Sequence, residues 1–238
     1  MGCGDSRGLL TAEEAVICSA EKKLKLKSLA VAEVCSTIKR FSGQEVISES
    51  QLLRICQRLV PDLDDYHVYK HRFFGQSFFH ADPHGFSRVK VSILGLLLSK
   101  GTNEDKSREL FYIINPECTP RLDQKQVESL VQGLVSVSVI YCPLLVKEVS
   151  PGLAEYKRML ERKAALVTEH AVDYLEGGCT LPGLIERFNS KELSRFLTPS
   201  GIRRTLIEFT VMGEHRPSRK SESQGVQERA SPQLSPYQ

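Results

Sequence analysis

The sequence predicts an all-α protein in which helices alternate with short breaks over about residues 11–212. Three observations support this fold class. Apolar residues recur at spacings of three, four and seven along most of the chain, as they do on one face of a helix. Breaks rich in Gly, Pro and Asn follow one another at intervals of about 40 residues. The composition, 41% hydrophobic and 26% charged, is that of a globular protein with a sizeable core.

Length, charge and cysteine usage narrow the class of protein. The 238 residues make one large domain or two small ones. The net charge of +3 gives no sign of a nucleic-acid partner. No apolar run approaches the ~20 residues of a membrane-spanning helix. The seven cysteines are odd in number and form no CxxC pair, which is typical of reduced, mostly buried thiols in a cytosolic protein.

The first six residues, MGCGDS, form the sharpest local signal. They fit the pattern M-G-x-x-x-[ST], in which removal of Met1 exposes the amine of Gly2 to a myristoyl chain. Cys3 lies beside it and is a candidate for S-palmitoylation. One acyl chain binds a bilayer marginally and two anchor stably. The sequence therefore predicts an acylated segment, residues 1–10, that anchors the protein to the cytoplasmic face of a membrane. The alternative is a chance match in a floppy N-terminus.

The pattern of residues 11–98 predicts two helices, followed by segments whose type is less clear. A helical stripe runs from about residue 11 to 40, and Thr11 followed by Glu14 predicts a capping box at its start. Four lysines between 22 and 27 make a solvated helix face, with contact to anionic lipid as the alternative. The later elements are a break at 42–44, a helix at about 49–59, an aromatic-rich segment at 65–79, a turn at 81–85 and an apolar run of undecided type at 89–98.

The second half predicts a further series of helices. Thr102 begins the clearest of them, with Asp105 in the capping position, and Asn115-Pro116 ends it. The later elements are a helix from 124 to about 134, an alternating segment of undecided type at 135–139, a long helix over 153–174 stopped by glycines 177 and 178, and two or three shorter helices between 182 and 209. Residues 213–238 contain few apolar side chains, so we expect a disordered tail.

The centre of the chain carries a resemblance to a known family. Residues 98–106, LSKGTNEDK, precede Leu110-Phe111, Ile113-Ile114, Leu122 and Gln126-Val127. This order resembles the middle of neuronal calcium sensor proteins and of calcineurin B, over residues 90–131. The resemblance implies EF-hand units, which are helix–loop–helix motifs that work in pairs. It implies two paired halves, about residues 11–98 and 99–212, and it suits an acylated N-terminus.

The resemblance also defines a candidate calcium loop. With Leu122 at the eighth of twelve positions, Asn115 is first and Gln126 is twelfth. Calcium prefers six to eight oxygens, with a bidentate Glu at the twelfth position and a Gly at the sixth. Here Gln126 and Pro120 take those places, and the other loops lack spaced carboxylates, so we expect mostly degenerate loops and no cofactor. Calcium remains the alternative, and its candidate ligands are Asn115, Glu117, Thr119, Arg121, Asp123 and Gln126.

The function predicted from these features is binding. We expect a regulatory adaptor whose hydrophobic groove takes an amphipathic helix of a partner protein, without a need for calcium. The candidate groove residues are Phe73, Phe74, Phe78, Phe79, Leu94 and Leu97, and core packing is the alternative use for most of them. Two other functions stay open. One is a true calcium sensor that uses loop 115–126, and the other is an unrelated helical-repeat scaffold, in which Leu122 pairs with no second loop.

Other possible sites have weaker support. Two HxxxH pairs could hold zinc, but ordinary histidines in an aromatic segment are the favoured interpretation for His67, His71, His80 and His84. The chain has no Gly-rich phosphate loop, HExxH or GxSxG motif, so we expect no enzyme. Arg203-Arg204 and the tail arginines are expected to be a solvated basic patch, and the carboxylates look scattered and solvated.

Overall fold

The computed structural model describes residues 11–42, 45–61, 79–82, 85–146, 148–175 and 178–213. The α-helices are α1 (Ala12–Lys23), α2 (Val31–Ser42), α3 (Glu49–Leu59), α4 (Arg88–Leu98), α5 (Asn103–Ile114), α6 (Gln124–Ser136), α7 (Pro151–Tyr174), α8 (Leu181–Asn189) and α9 (Pro199–Gly213). The strands are β1 (Val46–Ser48), β2 (His80–Asp82) and β3 (Gly85–Ser87). This mostly helical architecture confirms the predicted all-α class, to which a small sheet is added. The predicted tail, residues 213–238, lies outside the described residues apart from Gly213.

Hydroxyl and carboxylate side chains cap two central helices, and the sequence predicts the first of these two caps. At the start of α5, the Thr102 hydroxyl accepts a hydrogen bond from the Asp105 amide at 3.1 Å, and the Asp105 carboxylate accepts one from the Thr102 amide at 3.0 Å. Asp123 and Gln126 form the same reciprocal box at the start of α6. Each box satisfies amide groups that would otherwise lack a partner in the first turn.

The prediction of one helix from about residue 11 to 40 is wrong. Helix α1 ends at Lys23, and Lys25 takes a left-handed conformation with φ of 55°. An α-helix cannot continue through such a residue. A short 3₁₀ turn at Leu26–Ser28 follows, and the chain then pairs with the segment after α4. The amide of Val31 donates to Lys100 O and the amide of Lys100 donates to Leu29 O, both at 2.8 Å.

The two segments of undecided type are helical. Residues 91–98 of α4 are all buried, so the helix has no polar face that could reveal its period in the sequence. Helix α6 continues through the alternating stretch as a π-helical turn, Val137–Tyr141, and a 3₁₀ turn, Cys142–Leu145. Within this stretch the Ser138 hydroxyl donates to Leu134 O at 2.8 Å.

The length and composition of the continuous helical stretch Gln124–Leu145 bear on whether the chain could cross a membrane. Among the described residues, this stretch of 22 residues is the one helix that by length and composition could cross a membrane. Its most apolar window is 61% buried within the fold, as in a core helix. This stretch is not one uninterrupted apolar run in the sequence. It becomes a single long helix because the π and 3₁₀ turns continue α6.

Short antiparallel pairings join the loops between helices. Strand β3 lies between β1 and β2, with Ile47 opposite Phe86. Further along the chain, the Leu122 amide donates to Cys179 O at 2.9 Å. Gly178 lies beside this pairing with φ of 154°, and a Cβ there would sit 2.6 Å from Leu122 O. Glycine is therefore the residue that this close approach requires.

The hydrophobic core runs through both halves of the described chain. A single cluster of buried residues includes members of α1, α2, α4 and α5 as well as α6, α7, α8 and α9. Helix α2 packs on α4 and α3, whereas α5 packs on α8 and α6 packs on α7. Loops at the helix starts are held at the surface of this shared core, which positions the candidate sites described below.

Candidate functional site

Four loop segments share one local arrangement. Each places a buried residue directly before an oxygen-bearing N-cap residue, whose side chain accepts a hydrogen bond from the amide three residues on. The four pairs are Ile47–Ser48, Phe86–Ser87, Leu122–Asp123 and Cys179–Thr180. The main chains of the first two segments are paired with each other, and those of the last two are paired likewise.

The Asn115 side chain closes the loop at 115–126. Asn115 is fully buried. Its carboxamide oxygen accepts from the Thr119 amide at 3.1 Å and lies 2.9 Å from the Thr119 hydroxyl, and its amide nitrogen donates to Thr119 O at 2.7 Å. Cys118 between them takes a left-handed conformation with φ of 53°. The first candidate calcium ligand therefore uses its oxygen and its nitrogen to hold the loop itself.

The remaining candidate ligands are arranged for other contacts. Glu117 is exposed. Asp123 and Gln126 accept each other's amides in the capping box of α6. The Arg121 guanidinium donates to Gly178 O at 3.2 Å, which places a positive charge at the loop. Among the described residues, no group of three or more His, Cys, Asp and Glu side chains is placed to hold a metal ion.

The candidate groove residues divide into two sets. Phe73, Phe74 and Phe78 lie outside the described residues. Phe79 is fully buried, and its ring meets that of Tyr141 edge-on at a centroid distance of 5.3 Å. Leu94 and Leu97 are buried in the core cluster. Of the described three, Leu94 also lines an apolar cleft, whereas Phe79 and Leu97 do not.

That apolar cleft lies on the first half of the molecule, between α2, α3, α4 and the turn after α1. Apolar residues line it throughout. They are Leu24, Leu26, Val34, Ile38, Leu52, Ile55, Cys56, Leu59, Val60, Val91, Leu94 and Gly95. Leu26 and Leu59 are half-buried, so they form its accessible edge. The helical stripes that carry most of these residues are visible in the sequence, but the sequence does not show which stripes face each other.

A buried ion cluster joins α1 to α9. Arg203 is fully buried, and its guanidinium donates to both carboxylate oxygens of Glu14 and to one of Glu21, each at 2.8 Å. It also donates to Ser138 O at 2.9 Å. The expectation of a solvated basic patch at Arg203 and of solvated carboxylates is therefore wrong for these three residues. The charges are stable in the core because they pair with one another.

Further side chains complete the cluster. The Tyr156 hydroxyl donates to Glu14 Oε2 at 2.9 Å, and the Lys27 ammonium lies 3.5 Å from Glu21 Oε2. Burial, followed by the nearby Glu14 carboxylate, raises the pKa of the Tyr156 phenol above its usual range. Burial and the same carboxylate raise the pKa of the Cys18 thiol to about 11. Both groups are therefore neutral at pH 7, and the cluster contains two cations and two carboxylates.

The cluster also explains why the capping box predicted at Thr11 is only half formed. The Thr11 hydroxyl accepts from the Glu14 amide at 3.2 Å, as predicted. The Glu14 carboxylate instead accepts hydrogen bonds from Arg203, so it does not accept the second bond of the box from the Thr11 amide. No local signal in the sequence identifies this cluster, because Arg203 lies 189 residues after Glu14 and 182 residues after Glu21.

Comparisons with models of known protein families, with curated proteins and with solved structures found no match.

Proposed function

We propose that this chain is an EF-hand-like adaptor, held at the cytoplasmic face of a membrane by acyl chains on Gly2 and Cys3, that binds a partner protein without calcium. The observation that carries this proposal is the pairing of the loops. Ile47 lies opposite Phe86, and Leu122 is hydrogen-bonded to Cys179. Paired helix–loop–helix units with an apolar residue at each junction are what the family resemblance implies. An unrelated helical-repeat scaffold does not predict them.

The loop at 115–126 supports independence from calcium. Calcium would need the oxygen of Asn115, which is already hydrogen-bonded to Thr119. Pro120 stands at the sixth position, where calcium loops use Gly for a sharp turn. Gln126 offers one uncharged oxygen at the twelfth position, where a bidentate carboxylate is usual. The positively charged Arg121 guanidinium would repel a calcium ion bound in the same loop.

The apolar cleft supports the kind of partner. An amphipathic helix binds by placing apolar side chains at positions i, i+3, i+4 and i+7 in such a cleft. Leu26 and Leu59 at its edge are accessible to the first turn of such a helix. Binding would use the hydrophobic effect and would need no catalytic group.

Photo-crosslinking tests the partner site. A photoreactive amino acid replaces Leu59 at the cleft, and a matched variant carries it at Leu166, which is 53% exposed on α7. In membrane fractions of cells expressing the chain, we expect a defined adduct from position 59 alone, equally in calcium and in EGTA. Equal adducts from both positions would contradict the site. An adduct from position 59 that appears only in calcium would favour the alternative of a calcium sensor.

Cell fractionation tests the anchor. The variant Gly2→Ala lacks the unhindered amine that myristoylation needs, so we expect it to move from the membrane fraction to the soluble fraction. Gly4→Ala is the matched control, because the acylation pattern leaves that position free. Cys3→Ser is expected to weaken membrane retention, since one chain remains. If Gly2→Ala stays with the membrane as the wild type does, acylation is not the anchor.

A further inference from the structure

A second cavity, of about 370 Å³, lies where the two halves of the molecule meet. Helix α2 contributes Lys39, α4 contributes Arg88 and Ser92, and α5 contributes Glu109 and Tyr112. The volume falls within the range of ~300–1,000 Å³ that is typical of small-molecule sites. The apolar cleft of the proposed adaptor uses other faces of α2 and α4, so this cavity is a separate feature.

The helix geometry directs polar side chains of α4 and α5 into this space. Arg88 and Ser92 are four residues apart on α4, and so lie on the same face, one turn from each other. Arg88 is the first residue of that helix, where amide groups also favour an anion. Tyr112 is 47% exposed at the cavity, which leaves its hydroxyl within reach of a ligand.

Within the described residues, some polar groups that line the cavity have no hydrogen-bond or ion-pair contact. Ser92 is only 5% exposed, yet among the described residues its hydroxyl has no hydrogen-bond partner. A buried hydroxyl in that state destabilises the fold unless a ligand or water forms a hydrogen bond with it. In the described ranges, the Arg88 guanidinium has no carboxylate at ion-pair distance. The Lys39 ammonium acts on the Glu109 carboxyl of the same cavity without an ion-pair contact among the described residues. The cavity thus offers two cations and a buried hydroxyl to a ligand.

We propose that this cavity binds a small oxyanion, a phosphate or carboxylate that carries a neighbouring hydroxyl or amino group. The Arg88 guanidinium has the planar fork that binds such anions through two hydrogen bonds, and Lys39 adds a point charge. The Ser92 hydroxyl donates to the same anion. Glu109 is the acidic side chain of the cavity and accepts from the hydroxyl or amino group of the ligand. The lining then keeps one positive charge in excess, which the anion neutralises.

The surroundings of Glu109 fit this role. Burial raises the pKa of its carboxyl, and the Lys39 ammonium opposes that rise. Glu109 is half-buried, so a ligand can reach it. Because the walls come from α2, α4 and α5, a bound ligand would contact both halves of the molecule. The proposal does not depend on the adaptor function, since no residue of it belongs to the apolar cleft.

Titration of the full chain with inorganic phosphate, pyrophosphate and citrate tests the proposal. Binding is followed by calorimetry and by backbone amide NMR shifts, at constant ionic strength against sodium chloride. We expect saturable binding of at least one anion, with amide shifts in α2, α4 and α5. Arg88→Gln is expected to weaken it at least tenfold, whereas Arg54→Gln, an exposed arginine on α3, leaves it unchanged. Equal affinity of these two variants, or no saturable binding of any probe, would overturn the proposal.

The variant Ser92→Ala separates binding from folding. It removes a buried hydroxyl without a partner, so the ligand-free protein should melt at the wild-type temperature or above it. The same variant should bind the anion several-fold more weakly, because one donor is lost. Wild-type affinity in a folded Ser92→Ala protein would contradict the assignment of Ser92 to the ligand.

Discussion

Arg203 shows how much a single residue depends on distant parts of the chain. It reaches Glu14 and Glu21 from α9, and those carboxylates come from one face of α1. Removing charges from water is costly, and the cost is recovered only when the geometry is good and every group is hydrogen-bonded. The two-oxygen contact with Glu14 meets that condition. The cluster therefore fixes how α1, which follows the predicted anchor, attaches to the body of the protein.

Replacing Arg203 with Met should destabilise the protein strongly. The substitution leaves the Glu14 and Glu21 carboxylates buried without the guanidinium that pairs with both, at a cost of about 3–5 kcal/mol in the free energy of unfolding. Urea denaturation followed by circular dichroism measures this loss. The control is Arg204→Met, since Arg204 is exposed beside it and should change stability by less than about 0.5 kcal/mol.

A triple variant distinguishes a charge effect from a packing effect. Glu14→Gln, Glu21→Gln and Arg203→Met together leave no buried unpaired charge, since the remaining Lys27 ammonium is 42% exposed. This protein should therefore be more stable than Arg203→Met alone. If the triple variant is the less stable of the two, the cluster acts through packing and not through its charges.

Lys106 is a second buried cation, but it has carbonyl groups as its partners. Its ammonium donates to Leu97 O at 3.3 Å and to Leu197 O at 2.9 Å. These carbonyls lie at the ends of α4 and of the 3₁₀ turn Ser194–Leu197, where helix dipoles favour a positive charge. Burial, and to a lesser degree the Lys27 ammonium, lowers the pKa of Lys106 to about 8.

This lowered pKa predicts a pH dependence of stability. The usual value is 10.5, so between pH 8 and pH 10.5 the unfolded state binds more protons at Lys106 than the folded state does. Its contribution to the free energy of unfolding therefore rises with pH across that range. Lys106→Met removes this contribution, whereas Lys100→Met, at an exposed site, keeps it.

The measurement is the difference between wild type and Lys106→Met in urea denaturation at several pH values. Comparing two proteins cancels the opposite effect of a buried thiol such as Cys56, whose pKa burial raises to about 12. We expect wild type to gain stability relative to the variant as the pH rises from 8. A flat difference would show that Lys106 keeps its usual pKa, and a falling one would show that folding raises that pKa; either result would contradict the prediction.

At the scale of elements, the loop after α5 owes its shape to its own hydrogen bonds. Asn115→Ala removes the three contacts with Thr119 and leaves backbone groups of that residue without partners. We expect a loss of about 1–3 kcal/mol in the free energy of unfolding, measured in urea. Glu117→Ala in the same loop is the control, because that side chain is exposed, and it should stay within about 0.5 kcal/mol of wild type. Equal losses in both variants would contradict the role given to Asn115.

The elements also show how far the sequence could predict the fold. The helix that begins after Thr102 can be predicted with its cap, because that cap uses local side chains. The break at Lys25 was missed because a lysine in the left-handed conformation leaves no mark in the sequence. The α4 helix was left undecided since burial on all sides removes the periodic pattern. Local chemistry is readable from sequence, whereas burial depends on neighbours that the sequence does not name.

The candidate sites follow the same rule. The sequence indicates a break between two helices at 115–123, and the structure places Leu122 directly before the N-cap of α6. It could not show that Asn115 turns inward to Thr119, because that contact depends on the folded loop. The aromatic segment suggested a groove, yet Phe79 packs in the core. The Arg203 cluster could not be predicted, since its partners come from opposite ends of the chain.

For the whole molecule, the two halves of the described chain lie on one shared core. Loop pairings at Ile47–Phe86 and Leu122–Cys179 organise the halves, and the cluster at Arg203 attaches α1 to the second of them. In the proposed function, the N-terminal segment supplies the membrane anchor and the apolar cleft supplies the partner site. The proposed function requires no ion, because Asn115 and Thr119 close loop 115–126 with their own hydrogen bonds.

A thermal melt of the purified, non-acylated protein tests this central claim most directly. The chain contains no Trp, so far-UV circular dichroism is the probe. Melts are compared in EGTA, in ~1 mM calcium and in a matched magnesium control. A ligand at 100 times its Kd stabilises by about 2.7 kcal/mol, which corresponds to roughly 5–10 °C for a chain of this size. The account predicts the same melting temperature in all three conditions, and a calcium-selective rise of that size would contradict it.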